Sequence, residues 1–91
     1  MLSKIPAEIK ENVEKEVLRA AIIAELDAIN LYEQMAAMVK DEKIKDVLMD
    51  VANEEKTHVG EFLAMLLKYD EKQVEELEKG KKEIDEILGG E

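Results

Sequence analysis

Glu55 and His58 stand three residues apart in the run Glu54-Glu55-Lys56-Thr57-His58. On a helix that spacing puts a carboxylate and an imidazole on one face, about one turn apart, where both can bind the same metal ion. Acidic residues are so abundant in this chain that a Glu three before its single His is weak evidence by itself. The phase of the pattern is stronger. The stripe Ile44, Leu48, Val51, Glu55, His58, Phe62, Met65, Tyr69 steps by four and three without interruption, a heptad seam with two ionisable residues in its middle. On an earlier stripe, Leu18, Ile22, Ile29, Tyr32, Ala36, the vacancy is filled by Glu25. Burying an unpaired carboxylate costs several kcal/mol, so each of these interruptions demands a partner.

Three helices would carry these residues. The first is predicted to begin near Pro6, which suits a first-turn position, and to run to about Lys40. A second apolar track, Val13, Val17, Ala20, Ala24, Leu31, Met35 and Met38, widens its buried face and asks for neighbours on more than one flank. Asp41 reads as the N-cap of a second helix, with Glu42 favourable at its positive end. Asp70 followed by Gln73 resembles a capping box and opens a third. Val74, Leu77, Ile84, Ile87 and Leu88 give that helix a modest apolar face, and Gly80 predicts a bend or fray within it, since Gly costs roughly 1 kcal/mol against Ala. Gly89-Gly90-Glu91 stops it and reads as the start of a linker or docking tail.

Folding the first two helices back at Asp41 brings the chemistry together. Glu25 lies sixteen residues before Asp41 and Thr57 sixteen after it. In an antiparallel hairpin Glu25 therefore falls level with Glu55 and His58, about 24 Å from the turn at 1.5 Å per residue. Three ionisable residues that break apolar stripes converge at one height.

The composition narrows the setting. With 91 residues there is room for one domain, residues 1–91, and a core too small to be self-sufficient without association. The 46% hydrophobic and 40% charged content, with one Pro, points to an all-α protein. No cysteine is present, which removes thiolate metal sites and thiol catalysis and fits a reducing cytoplasm. The net charge of −10 argues against nucleic acid as a partner and favours cations. The apolar run Ala20 to Ala24 is far too short to span a bilayer, and the first ten residues have no apolar stretch of signal-peptide type.

The donor set has meaning in kind. Ferritin-like di-iron sites take a Glu from each of two helices and Glu-x-x-His from each of the other two. This chain supplies half of that inventory, and a two-fold axis would supply the rest. The segments Glu25-Leu26-Asp27-Ala28-Ile29-Asn30-Leu31-Tyr32-Glu33-Gln34 and Glu54-Glu55-Lys56-Thr57-His58 resemble the two signature helices of the encapsulated ferritins, in the spacing of thirty residues from Glu25 to Glu55 and three more to His58. The likeness runs from about Val17 to Asp70. It implies a hairpin that dimerises into a ferritin-like four-helix bundle, with dimers often joined into a ring. It also implies oxidation of Fe²⁺ by O₂ at a di-iron site on Glu25, Glu55 and His58, inside an encapsulin shell that stores the product. Members of the family often carry acidic residues directly before and two after the first ligand, as a path for approaching metal. Here those positions are Ala24 and Asp27, so half of that feature is present, and Tyr32 is a candidate to stand behind the ligands. Nothing after Gly90 resembles the shell-docking peptide of the family's cargo members, so either the sequence is trimmed from a longer cargo protein or the shell protein follows on the same chain. The alternative is a non-enzymatic helical assembly module whose buried Glu/His cluster fixes register or holds a structural metal.

Overall fold

Where the chain leaves its first helix, no Gly or Pro forces the turn. Val39, Lys40 and Asp41 make it, and Asp41 supplies the chemistry: its carboxylate accepts a hydrogen bond from the Lys43 N–H at 2.8 Å, and its carbonyl accepts from the Lys45 N–H at 3.0 Å. This is the N-cap expected from the residue type. The structure is a computed structural model and describes residues 13–89. It holds α1 (Val13–Met38), α2 (Glu42–Tyr69) and α3 (Glu71–Ile87), with no strand among the described residues. The predicted start of the first helix near Pro6 and the tail Gly90-Glu91 lie outside that range. At its other end α1 stops at Met38, two residues short of the expected Lys40, because Asp41 needs an extended backbone to cap α2.

α1 and α2 pack antiparallel along their length, and Ala36, Ala52 and Leu66 are the most deeply buried apolar residues, at 2%, 0% and 3% exposure. The expected inward seam needs correcting here. α2 seats Ala52 and Leu66 most deeply against α1 with Glu55 shielded beside them, so the predicted seam is inward only in part and His58 lies toward the edge of the hairpin. The seam's apolar members Ile44, Met65 and Tyr69 are left 43–50% exposed. A single neighbouring helix can cover only one narrow stripe, and the broader apolar surface read from the sequence stays open. The same holds for the second track of α1, where Val17, Leu31 and Met38 are exposed rather than buried.

α3 meets α2 only near their junction and leaves the hairpin at an angle, giving a slab of 46 × 45 × 19 Å. Its radius of gyration is 17.0 Å, against about 12 Å for a compact chain of this length. The junction is the single residue Asp70, whose carboxylate accepts from the Gln73 N–H at 3.0 Å and from Arg19 of α1 at 2.7 Å. The Gln73 bond, with Arg19 and Lys15 nearby, holds the Asp70 carboxyl below the usual carboxylate range. The capping half of the predicted box is therefore present. The bend or fray expected at Gly80 is not: α3 runs through Gly80 uninterrupted, among good helix formers and with Lys72–Glu76 and Lys79–Glu76 pairs on its face. Just beyond it, Gly89 sits at φ 87°, the left-handed conformation glycine adopts freely at helix ends. Among the described residues no helix is long and apolar enough to cross a membrane.

Ala52 is sealed at the helix–helix contact, so a larger side chain there has nowhere to go. Ala52→Leu should destabilise the fold by about 1–3 kcal/mol, seen as a lower midpoint in thermal melts followed by circular dichroism. Exposed Val47→Leu is the matched control and should leave the midpoint unchanged.

Candidate metal centre

Glu25 projects from the middle of α1, and Glu55 and His58 project from consecutive turns of α2. The structure brings all three together: one donor atom from each lies within 4.8 Å of the others. His58 Nδ1 stands 2.9 Å from Glu25 Oε2 and 3.7 Å from Glu55 Oε2. Counting outward from Asp41 placed Glu25 level with Thr57, and its nearest partner is one residue further, His58.

Other pairs across the hairpin join residues further apart by the same count. Lys56 reaches Glu33 at 2.9 Å, and Arg19 reaches Asp70 at 2.7 Å. Helical side chains lean toward their own N-terminus, so in an antiparallel pair the two leans add, and long side chains meet across a larger offset. Neither pair was visible as a motif. The signal that could have found them is opposite charge at an offset corrected for that lean.

The two carboxylates are largely shielded, each side chain 17% exposed, whereas His58 is 44% exposed and faces outward. Crowding has an electrostatic consequence. A hydrogen bond with Glu25 is the main reason the Glu55 carboxyl is raised above its ordinary value of 4.5. Burial and the charge of Glu25 push the same way, and His58 partly offsets them. Two carboxylates and one imidazole in a cluster this tight could hold a divalent metal ion, since both are donors to such ions. The three come from one face of one hairpin and leave the outward side open.

Of the accessory residues, Tyr32 is half-buried on α1, and among the described residues nothing hydrogen-bonds its hydroxyl. Asp27 is exposed and outside the three-donor group, as is Ala24 beside Glu25.

A carboxyl whose pKa is raised on folding stabilises the folded state below its unfolded value, and that stability is lost as pH rises through the folded value. Metal-free protein should therefore melt lower at pH 7 than its other interactions would dictate. Glu55→Gln should raise the melting temperature at pH 7 in chelator, and the gap should close below about pH 4.5, where the wild-type carboxyl is protonated too. A variant no more stable than wild type at pH 7 would mean the two carboxylates do not repel.

Comparison with known proteins bears on the same residues. The chain is 61% identical over 74 residues to the ferritin-like–encapsulin shell fusion protein of Pyrococcus furiosus, an alignment that covers 81% of this chain and 21% of that protein. The chain thus spans about a fifth of the length of this curated relative. Among solved structures it resembles the crystal structure of the encapsulated ferritin domain from Pyrococcus furiosus, with a TM-score of 0.86 and 52% identity, covering 98% of this chain and 97% of that one. The all-helical architecture is therefore a ferritin-like one. With residues 3–84 matching the EncFtn-like family, the chain belongs to that family.

Proposed function

We propose that this chain is a ferroxidase that takes Fe²⁺ as substrate at a di-iron site shared by two copies and passes electrons to O₂. The observation that carries this reading is the convergence of Glu25, Glu55 and His58 on a half-open face. One chain offers two carboxylates and one imidazole. A second copy related by a two-fold axis doubles this to four carboxylates and two imidazoles, enough to balance two Fe²⁺ and leave positions for O₂. In this reading Glu25 bridges the two ions, Glu55 binds one, and His58 gives the nitrogen donor. The two Fe²⁺ would give one electron each to O₂, which with two protons from solvent leaves as H₂O₂, and the carboxylates would favour the Fe³⁺ product by stabilising its higher charge. Tyr32 stands behind the ligands and exposed Asp27 lies on the approach.

Pairing is supported by the thin core. Val17, Met65 and Tyr69 are half-exposed around a notch they share with Val13, Leu18 and Glu14, a cluster of apolar side chains left open in the single chain. A dimer, or a ring of dimers, would cover it. The relative named as a fusion to an encapsulin shell supports the further proposal that ferric product is stored in a cytoplasmic encapsulin compartment. Residues 1–91 then act as one half-ferritin unit, with Gly89 opening a linker toward the shell.

Wild-type protein should oxidise Fe²⁺ under O₂ faster than protein-free buffer, followed by ferric absorbance in stopped flow. Removing an outer-shell partner at metal sites costs about 10–100-fold, so Glu55→Ala or His58→Ala, which remove ligands outright, should lose at least that. Wild-type rates equal to buffer would leave the assembly-module alternative standing.

The shared site has its own test. An assembly-competent triple variant, Glu25→Ala, Glu55→Ala and His58→Ala, is mixed with an equal amount of wild type, with subunit exchange verified by mass spectrometry. Random pairing leaves roughly a quarter of the dimers fully ligated, so activity should drop toward a quarter. Retention of about half would place a complete site on each hairpin.

A further inference from the structure

Between Glu42 and Ile87 the only residue without helical geometry is Asp70, at φ −133° and ψ 84°. The only local signal for a break there is Asp70 itself, a residue of N-cap type, and Asp46 and Asp50 of the same type lie inside α2 without breaking it. From Leu66 to Val74 the chain reads Leu-Leu-Lys-Tyr-Asp-Glu-Lys-Gln-Val, with no Gly, Pro, Ser or Asn. Ten residues later α3 runs straight through Gly80, the poorest helix former in either helix except Gly60. The helix continues where its sequence is weakest and stops at an Asp of a kind it tolerates elsewhere. The break at Asp70 therefore takes a tertiary contact in addition to the local cap.

Asp70 is the one buried charged residue among those described, at 7% exposure, and its only long-range partner is Arg19, 51 residues earlier on α1. The carboxylate divides its two oxygens: one caps α3 through the Gln73 N–H, the other takes the Arg19 guanidinium. In a continuous helix the Gln73 N–H would bond the Tyr69 carbonyl instead, and the Asp70 side chain would have no capping role to play. The bent junction is thus the arrangement in which both of its oxygens are used. On its outer side the pair borders an open cleft of about 350 Å³ lined by Lys15, Lys72, Gln73 and Glu76, so Arg19, half-exposed, can leave without disturbing the packed interior.

We propose that the Arg19–Asp70 pair is a latch that splits one potential helix into α2 and α3 and so sets the direction in which α3 leaves the hairpin. With the latch engaged, the described chain fits a box whose longest edge is 46 Å. A single helix over the same 46 residues would be about 69 Å long. The latch is independent of the metal-binding residues, and its failure would leave the proposed function untouched.

The chain has no cysteine, so Asp50→Cys and Glu83→Cys, both exposed and on α2 and α3, accept spin labels at those two positions alone. Full-length labelled protein, diluted with unlabelled chain to suppress distances between copies, is measured by pulsed dipolar spectroscopy. With the latch intact we expect one short distance. Arg19→Gln leaves Asp70 free to cap α3 but removes the ion pair, and should move population toward about 50 Å, the separation of these residues along a continuous helix. An unchanged distance in folded Arg19→Gln protein would overturn the latch and leave capping as the whole cause of the break. Should Arg19→Gln fail to fold, Arg19→Lys decides: it keeps the charge but loses the planar fork, so a mixture of short and long distances is expected, and a single unchanged distance overturns the proposal.

Discussion

Everything at the site depends on the antiparallel register of one hairpin, which presses two carboxylates against each other beneath an imidazole. Glu25 comes from one helix, Glu55 and His58 from the other, and no local contact along either helix could bring them within 4.8 Å. The hairpin contact does so, through the burial of Ala36, Ala52 and Leu66. Crowding leaves its trace in the raised Glu55 carboxyl, held up first by its hydrogen bond with Glu25 and then by burial and the Glu25 charge. Such a cluster makes sense as a place kept ready for a cation, because a cation removes the repulsion and satisfies all three groups together.

The edge position of the cluster matters as much as its composition. Ala52 and Leu66 lie deepest against α1, and the three donor groups lie beside them, the two carboxylates shielded and His58 half-exposed at the edge.

The sequence made the three helices, the caps at Asp41 and Asp70, and the convergence of Glu25, Glu55 and His58 legible, because each rests on periodicity or on a short-range rule. Spacing of three and four fixes a helical face whatever surrounds it, and reflection through Asp41 gave the level of Glu25 to within one residue of His58. What the sequence left hidden depended on how many neighbours each helix has. A broad apolar face predicts burial, but in one chain α1 covers a single stripe of α2, so Met65 and Tyr69 came out exposed and the inward seam shifted to Ala52 and Leu66. Gly80 misled for the opposite reason: its local penalty is real, yet its neighbours carry the helix across it. Arg19–Asp70 and Glu33–Lys56 escaped notice because their offsets include the lean of long side chains, which counting along the backbone ignores.

The slab form of the chain has a thermodynamic consequence. In a layer only 19 Å thick each helix has solvent on two opposite sides, and three apolar residues are all that the described chain fully buries. In the pairing proposed above, a second chain would cover much of the apolar surface this one leaves open, so folding and association would draw on the same free energy. Stability would then be a function of protein concentration rather than a constant of the sequence, and a melting temperature would have meaning only beside the concentration at which it was measured.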